Sequence, residues 1–344
     1  MAIERRKLGS TGISVSQLCL GAMMFGAYGN TDHDDSIAII HRALDAGINF
    51  IDTADVYSRG ESEEIVGKAL AGGRREHVVL ATKAHGSMGE DSNQFGNSRR
   101  WIAQELENSL RRLKTDWIDL YQIHRPEPDT DIDATLGALS DLVREGKVRY
   151  IGSSTFPAHQ IVQAQWVAER RGRERFMCEQ PPYSMLNRGI EADVLPVCEE
   201  YGIGVIPWSP LAMGWLSGRY SKGGESPDTS RRAQMMPSRY DMSNPANQRK
   251  LQAAQELGEL ADEAGMSLIE MALAFVTSHP AVSAAIIGPR THEHLDSQLP
   301  ALERTLSGDV LDRIDQIVAP GTNVNPTERG WDPPWLTDAA LRRR

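Results

Sequence analysis

The 344-residue chain is 40% hydrophobic and 24% charged, long enough to bury a large core without disulfides or metals. Its formal net charge of -10 argues against nucleic acid or an anionic membrane as the main partner, because both demand a positive field. Cys19, Cys178 and Cys198 are odd in number and widely spaced, which speaks against a disulfide framework and for a reducing compartment.

The charged first residues lack the apolar stretch of a signal peptide, and no run approaches the ~18 apolar residues of a membrane span. The expected location is therefore the cytoplasm. Residues 5–8 and 14–15 flank a Gly9-Ser10-Thr11-Gly12 turn and predict a β-hairpin. Eight short apolar runs follow, at 17–21, 49–53, 78–83, 118–124, 148–153, 177–180, 205–209 and 284–288. They are nearly continuous, as strands buried on both faces should be. Amphipathic stretches separate them, at 34–46, 62–70, 98–113, 132–145, 158–170, 193–201 and 247–264, and 267–276 reads as a buried helix.

This alternation predicts an α/β fold of the (β/α)8 TIM-barrel type over residues 1–344 as one domain, with an N-terminal β-hairpin. A doubly wound open sheet is the rival. It would place a G-x-G-x-x-G turn after the first strand, where Gly21-Ala22-Met23-Met24-Phe25-Gly26 has the wrong spacing. A long loop at 211–246 follows strand seven and leaves the face where barrel active sites lie. Its Arg231, Arg232 and Arg239 read as solubilising charge, with phosphate or anionic-substrate contact as the alternative. The tail from about 320 is irregular and holds Trp331 and Trp335.

In a barrel, the ends of consecutive strands are neighbours. Asp52, Tyr57, Lys83 and His124 follow strands two, three and four, and would converge on one pocket. Each has an ordinary structural reading by itself; their joint placement favours chemistry. An ammonium beside a phenol lowers the phenol's pKa, and Asp52 would keep a buried Lys83 charged. His124 could donate to a carbonyl oxygen or relay a proton. The set predicts Tyr57 as a general acid tuned toward working pH.

The chain here resembles the aldo-keto reductase superfamily over nearly its whole length. The resemblance is carried by Gly47-Ile48-Asn49-Phe50-Ile51-Asp52-Thr53-Ala54-Asp55-Val56-Tyr57, by Gly60-Glu61-Ser62-Glu63 and Gly67-Lys68-Ala69-Leu70, and by Ser109-Leu110-Arg111-Arg112-Leu113 through Asp119-Leu120-Tyr121-Gln122-Ile123-His124. It implies a barrel that binds NADP(H) at its C-terminal face and a catalytic tetrad of Asp52, Tyr57, Lys83 and His124. It also implies cofactor contacts from Gly21, Met23 and Asp52, carboxamide contacts from Ser153, Ser154 and Gln180, and stacking of Trp208 on the nicotinamide. Ser209, Pro210, Leu211, Gly214, Leu216, Gly218 and Arg219 resemble a pyrophosphate loop. Gly288, Arg290 and Thr291 open the last helix and suit a 2′-phosphate, which favours NADP over NAD. His294 and Gln298 stand where many relatives carry Gln and Asn.

The resemblance implies an NADPH-dependent reductase of a small carbonyl substrate, with a keto sugar as one option and no metal. Two alternatives stand beside it. One is a nicotinamide-sensing binding protein, because ion-channel β subunits are similar, including a Trp followed by Ser-Pro-Leu-Ala. The other is a barrel lyase or hydrolase, for which the chain offers no H-E-x-x-H and no Cys/His metal spacing.

Overall fold

The computed structural model describes residues 4–220 and 223–342. Strands β1 (Arg5–Lys7) and β2 (Ser14–Ser16) pair antiparallel as the predicted hairpin. Eight parallel strands follow: β3 (Leu18–Gly21), β4 (Phe50–Asp52), β5 (Val79–Ala84), β6 (Ile118–Ile123), β7 (Val148–Ser153), β8 (Phe176–Glu179), β9 (Gly204–Val205) and β10 (Ala285–Ile287). Each pairs with its neighbour in order, and β10 returns to pair with β3. The ring is completed by a bridge between Val205 and Val282 and by the Ile286 amide donating to the Pro207 carbonyl at 2.9 Å. The fold is a (β/α)8 barrel.

Helices α1 (His33–Asp45), α2 (Glu61–Ala69), α3 (Arg99–Leu113), α4 (Ile132–Arg144), α5 (Ala158–Arg171) and α6 (Val194–Tyr201) occupy the first six crossovers. The seventh holds a short α7 (Arg231–Met235) and then α8 (Pro245–Glu263) and α9 (Leu268–Ser278). After β10 come α10 (His292–Gln298), α11 (Gly308–Ile317) and a short α12 (Pro334–Thr337). The predicted 211–246 loop thus contains one short helix, and α11 and α12 were not anticipated. Starts follow local chemistry: Asp32, Ser98 and Asp131 accept backbone amides as N-caps, and Ser267 with Glu270 forms a capping box.

Strand alternation builds the site. Cys19, Phe50, Ala81, Leu120, Cys178, Ile206 and Ala284 form one apolar cluster inside the barrel. Leu8 and Val15 of the hairpin join it and plug its N-terminal end. Because side chains alternate with period two, residues two positions further on share that inward face at the opposite end. Those positions are Asp52, Lys83, Gln122, Gln180 and Trp208. Below them the barrel is filled with apolar atoms; above them polar groups collect. Cys19, Cys178 and Cys198 are all buried free thiols, packed as small hydrophobes.

Candidate active site

Lys83 is fully buried at the end of β5. Its ammonium donates to Asp52 Oδ2 at 2.6 Å, to the Thr53 carbonyl at 2.7 Å and to the Tyr57 hydroxyl at 3.2 Å. The His124 ring meets Tyr57 edge-on, with centroids 5.7 Å apart. The four residues read from strand ends therefore form one cluster. Gln122, not singled out from sequence, belongs to it: its Nε2 donates to Asp52 Oδ1 at 3.2 Å, and Gln180 Nε2 donates to the same oxygen at 2.8 Å. Two-residue alternation back from His124 was the signal for it.

Tyr57 is aimed by a strained turn. Ser58, Arg59 and Gly60 have φ of 49°, 56° and 96°, three successive left-handed residues. The turn is held by Ser58 Oγ, which donates to the Phe25 carbonyl and accepts from the Tyr28 amide. Of the seven described non-glycine residues with positive φ, all but Lys114 follow the C-terminal ends of barrel strands. Strain is thus concentrated on the face that carries the cluster.

The electrostatics depart from the sequence expectation in one respect. Burial raises the Tyr57 phenol and outweighs the lowering by Lys83, so its net pKa lies above the ordinary value rather than below it. Tyr57 therefore holds its proton. Burial pulls Lys83 down, but Asp52 and Tyr57 outweigh it and the net shift is upward, leaving an ammonium. Burial, with Lys83 and Arg125 nearby, holds His124 well below the usual imidazole value and therefore neutral.

Two stretches that carried the resemblance meet behind the cluster. Glu63 accepts from Arg112 Nε at 2.6 Å and from Thr82 Oγ1 at 2.6 Å, and Arg112 also pairs with buried Glu105. Asp55 is buried beside them, with Oδ1 accepting the Val56 amide and Oδ2 without a partner among the described residues. Burial, then Glu63 and Glu105, push its carboxyl well above the usual carboxylate value, which favours the neutral acid.

The expected cofactor residues divide. Ser153 lies opposite in register to Glu179 and donates its hydroxyl to that carboxylate, on the outward face of the sheet. Strand alternation points Ser154 toward the barrel interior and the Ser153 hydroxyl toward Glu179. Ser154 donates to the Gln180 carbonyl at 2.9 Å. Glu179 is fully buried, which raises its pKa to about 7. Gly21 needs its bare Cα for strand closure, since a Cβ would lie 2.6 Å from Ile286 Cγ2. Met23 is half-buried on the loop that follows. Leu216 is fully buried in the core, and Pro210 is buried.

Trp208, Ser209 and Leu211 are half-buried at the end of strand seven, and Trp208 Nε1 is buried with no partner among the described residues. At Gly214, Gly218 and Gly288 a Cβ would meet nothing within 4 Å, so the backbone borders open space. Arg219 and Arg290 converge on His294: burial first, then both cations, hold its imidazole below the usual value. Thr291 caps α10 by accepting the His294 amide at 3.3 Å. Gln298 is buried, and its Oε1 has no partner among the described residues. These residues fit a polar ligand with an anionic group: Trp208 Nε1 and Gln298 Oε1 are buried without a partner among the described residues, the glycines leave open backbone, and Arg219 and Arg290 supply positive charge around His294. The side chains of Arg231 and Arg232 lie outside the described residues; Arg239 contacts Met213 within the loop.

The tail passes over the barrel mouth. Gly330 packs on Thr155, Pro182 and Trp208, where a Cβ would come within 3.0 Å of each. Beyond it, Trp331 and Trp335 wall a cavity of about 350 Å³ with Phe156, Pro181 and Ile190. Among the described residues no helix is long and apolar enough to cross a membrane.

The sequence profile of the Aldo/keto reductase family matches residues 17–319. An uncharacterised oxidoreductase, YrpG, of Bacillus subtilis (strain 168) is 38% identical over 96% of this chain and all of its own length. A probable voltage-gated potassium channel subunit beta of Oryza sativa subsp. japonica is 35% identical over 92% of this chain and 97% of its own. Versiconal hemiacetal acetate reductase of Aspergillus parasiticus is 31% identical over 95% of this chain and 100% of its own.

Proposed function

Because the chain belongs to the aldo/keto reductase family, we propose that it reduces an aldehyde or ketone to an alcohol with NADPH, using Tyr57 as the general acid. The observation that carries this reading is the Tyr57–Lys83–Asp52 chain of hydrogen bonds at the barrel mouth. When bound, the nicotinamide supplies a hydride to the carbonyl carbon.

The protein's own part is the proton. Lys83 donates to the phenolic oxygen of Tyr57, so the Tyr57 hydrogen is left to point toward a ligand oxygen. As that oxygen gains charge, Tyr57 releases its proton to it, and the ammonium at 3.2 Å stabilises the phenolate that remains. Asp52 keeps the ammonium charged, and Gln122 and Gln180 hold Asp52 from the other side. Neutral His124 offers a second hydrogen bond to the same oxygen. Trp208 presents a flat face for stacking, Gly214 and Gly218 suit the pyrophosphate, and Arg219 with Arg290 suits a 2′-phosphate, which supports NADP over NAD.

Tyr57→Phe is expected to lower carbonyl-dependent NADPH oxidation by about 10²- to 10⁴-fold. Dinucleotide affinity, read by fluorescence quenching, should stay within about threefold, as the hydroxyl serves the reacting oxygen. A variant with near-normal turnover removes Tyr57 from the role. In the wild type, kcat/KM for reduction should be flat with respect to this group through neutral pH and fall only above the ordinary phenol value, since burial raises that pKa. The relatives named as channel subunits favour a second reading, a dinucleotide-sensing protein. Tight NADPH binding without turnover on a broad carbonyl panel would support it.

A further inference from the structure

Arg125 has no direct part in the proton transfer above, yet it stands in the mouth. It directly follows His124. Its Nη1 donates to the His124 carbonyl and, at 3.4 Å, to the Ser154 hydroxyl. Its guanidinium carbon lies 6.0 Å from the centre of the Trp208 ring. It is thus placed between the Tyr57–His124 pair and the proposed stacking surface.

Its partners set it apart. Arg75 faces Asp119, Arg112 faces Glu63 and Glu105, and Arg188 faces Glu191 and Asp315. Arg125 makes its hydrogen bonds to neutral oxygens, and among the described residues no carboxylate lies within ion-pairing distance of it. Besides the Tyr57 phenol, the carboxyl of Glu179 acts on it through space, but Glu179 accepts from Ser153 and the Phe156 amide. A guanidinium stays charged even where burial lowers its pKa. A partly desolvated cation without a counter-ion is destabilising, and a ligand that brings the anion offsets that cost. The dinucleotide's own anionic groups are met elsewhere, by Arg219 and Arg290 around His294. The nicotinamide end brings no anion.

Resting on the reductase reading, we propose that Arg125 is a specificity-determining residue that binds an anionic oxygen group, carboxylate or phosphate, carried by the carbonyl substrate. The substrate then lies with its carbonyl oxygen on Tyr57 and its anion toward Ser154 and Trp208. A charge-assisted contact of this kind changes selectivity by about 10- to 100-fold.

The test compares matched pairs. One is 4-carboxybenzaldehyde against methyl 4-formylbenzoate; the other is glycolaldehyde phosphate against glycolaldehyde. The wild type should prefer the anionic member by kcat/KM in at least one pair, and the pair with the larger preference tells carboxylate from phosphate. R125Q should cut that preference by about 10- to 100-fold, mainly through KM, with R125K between the two. An equal fall for both members, or an unchanged ratio, overturns the proposal and leaves Arg125 as a brace for His124 and Trp208. Calorimetry on the wild type with NADPH, which cannot accept hydride from an alcohol, supplies a readout without turnover and without a variant. There 4-carboxybenzyl alcohol or phosphoglycol should bind at least about tenfold tighter than its neutral counterpart; equal affinity in both pairs overturns the proposal. Anion-selective binding without turnover would instead sink the reductase reading and keep the anion site.

Discussion

Lys83 and Lys250 are both fully buried, and each ammonium faces a carboxylate, yet they stand in opposite kinds of structure. Lys83 is on a barrel strand, and its partner Asp52 is on the strand beside it. Lys250 is on α8, and its partner Glu328 is on the C-terminal tail. Burial lowers both; at Lys83 the neighbouring Asp52 and Tyr57 reverse the shift, while at Lys250 the pull of Glu328 does not. Two adjacent strands hold an ion pair in register, whereas a tail and a helix must be brought together by packing. The first arrangement suits chemistry, which needs fixed distances. The second suits binding. Lys250 lies 4.3 Å from the Trp215 ring centre, Tyr240 stacks on Trp215 at 5.3 Å, and Tyr240 donates to the Met213 carbonyl at 2.7 Å. A clamp made of the tail and α8 thus braces the loop next to Gly214.

The comparison can be broken by removing each lysine. Lys83→Met leaves Asp52 as an uncompensated buried charge, and should cost about 3–5 kcal/mol in urea unfolding as well as nearly all turnover. A loss no larger than that of Lys250→Met would show that the two pairs are equivalent. Lys250→Met should cost less, about 1–3 kcal/mol, because Glu328 retains some access to water. It should raise the dinucleotide Kd by about tenfold while kcat at saturation stays within about twofold. An unchanged Kd would detach the clamp from the binding loop. The smallest effect is expected at Asp55→Asn. Burial first, then Glu63 and Glu105, push that carboxyl toward its neutral form, so an amide should change stability by no more than about 1 kcal/mol at pH 7. A loss of several kcal/mol would mean that Asp55 is ionised and paired.

Much of the barrel was legible because strands buried on both faces and amphipathic helices leave different periods in the chain. The run at 148–153 coincides with β7, and α4 and α5 each end within one residue of expectation. The helices after β10 were not, since α11 and α12 follow the last barrel unit, where the βα rhythm gives no further guidance. Asp52, Lys83 and His124 could be read from strand ends, and their convergence follows from the barrel. The adjacent Ser153 and Ser154 look alike in sequence. Parity on β7, seen through the Ser153–Glu179 contact, turns one outward.

By itself the sequence determined the period of each element, the polar residues at the strand ends and the family they resemble, because these are local properties of the chain. Only the tertiary structure decided the sign of the Tyr57 shift, the entry of Gln122 into the cluster, the left-handed turn that aims Tyr57, and the position of Arg125 without an ion-paired carboxylate among the described residues. Those depend on burial and on distances between segments far apart in the chain, and desolvation and Coulomb forces act through space rather than along the backbone.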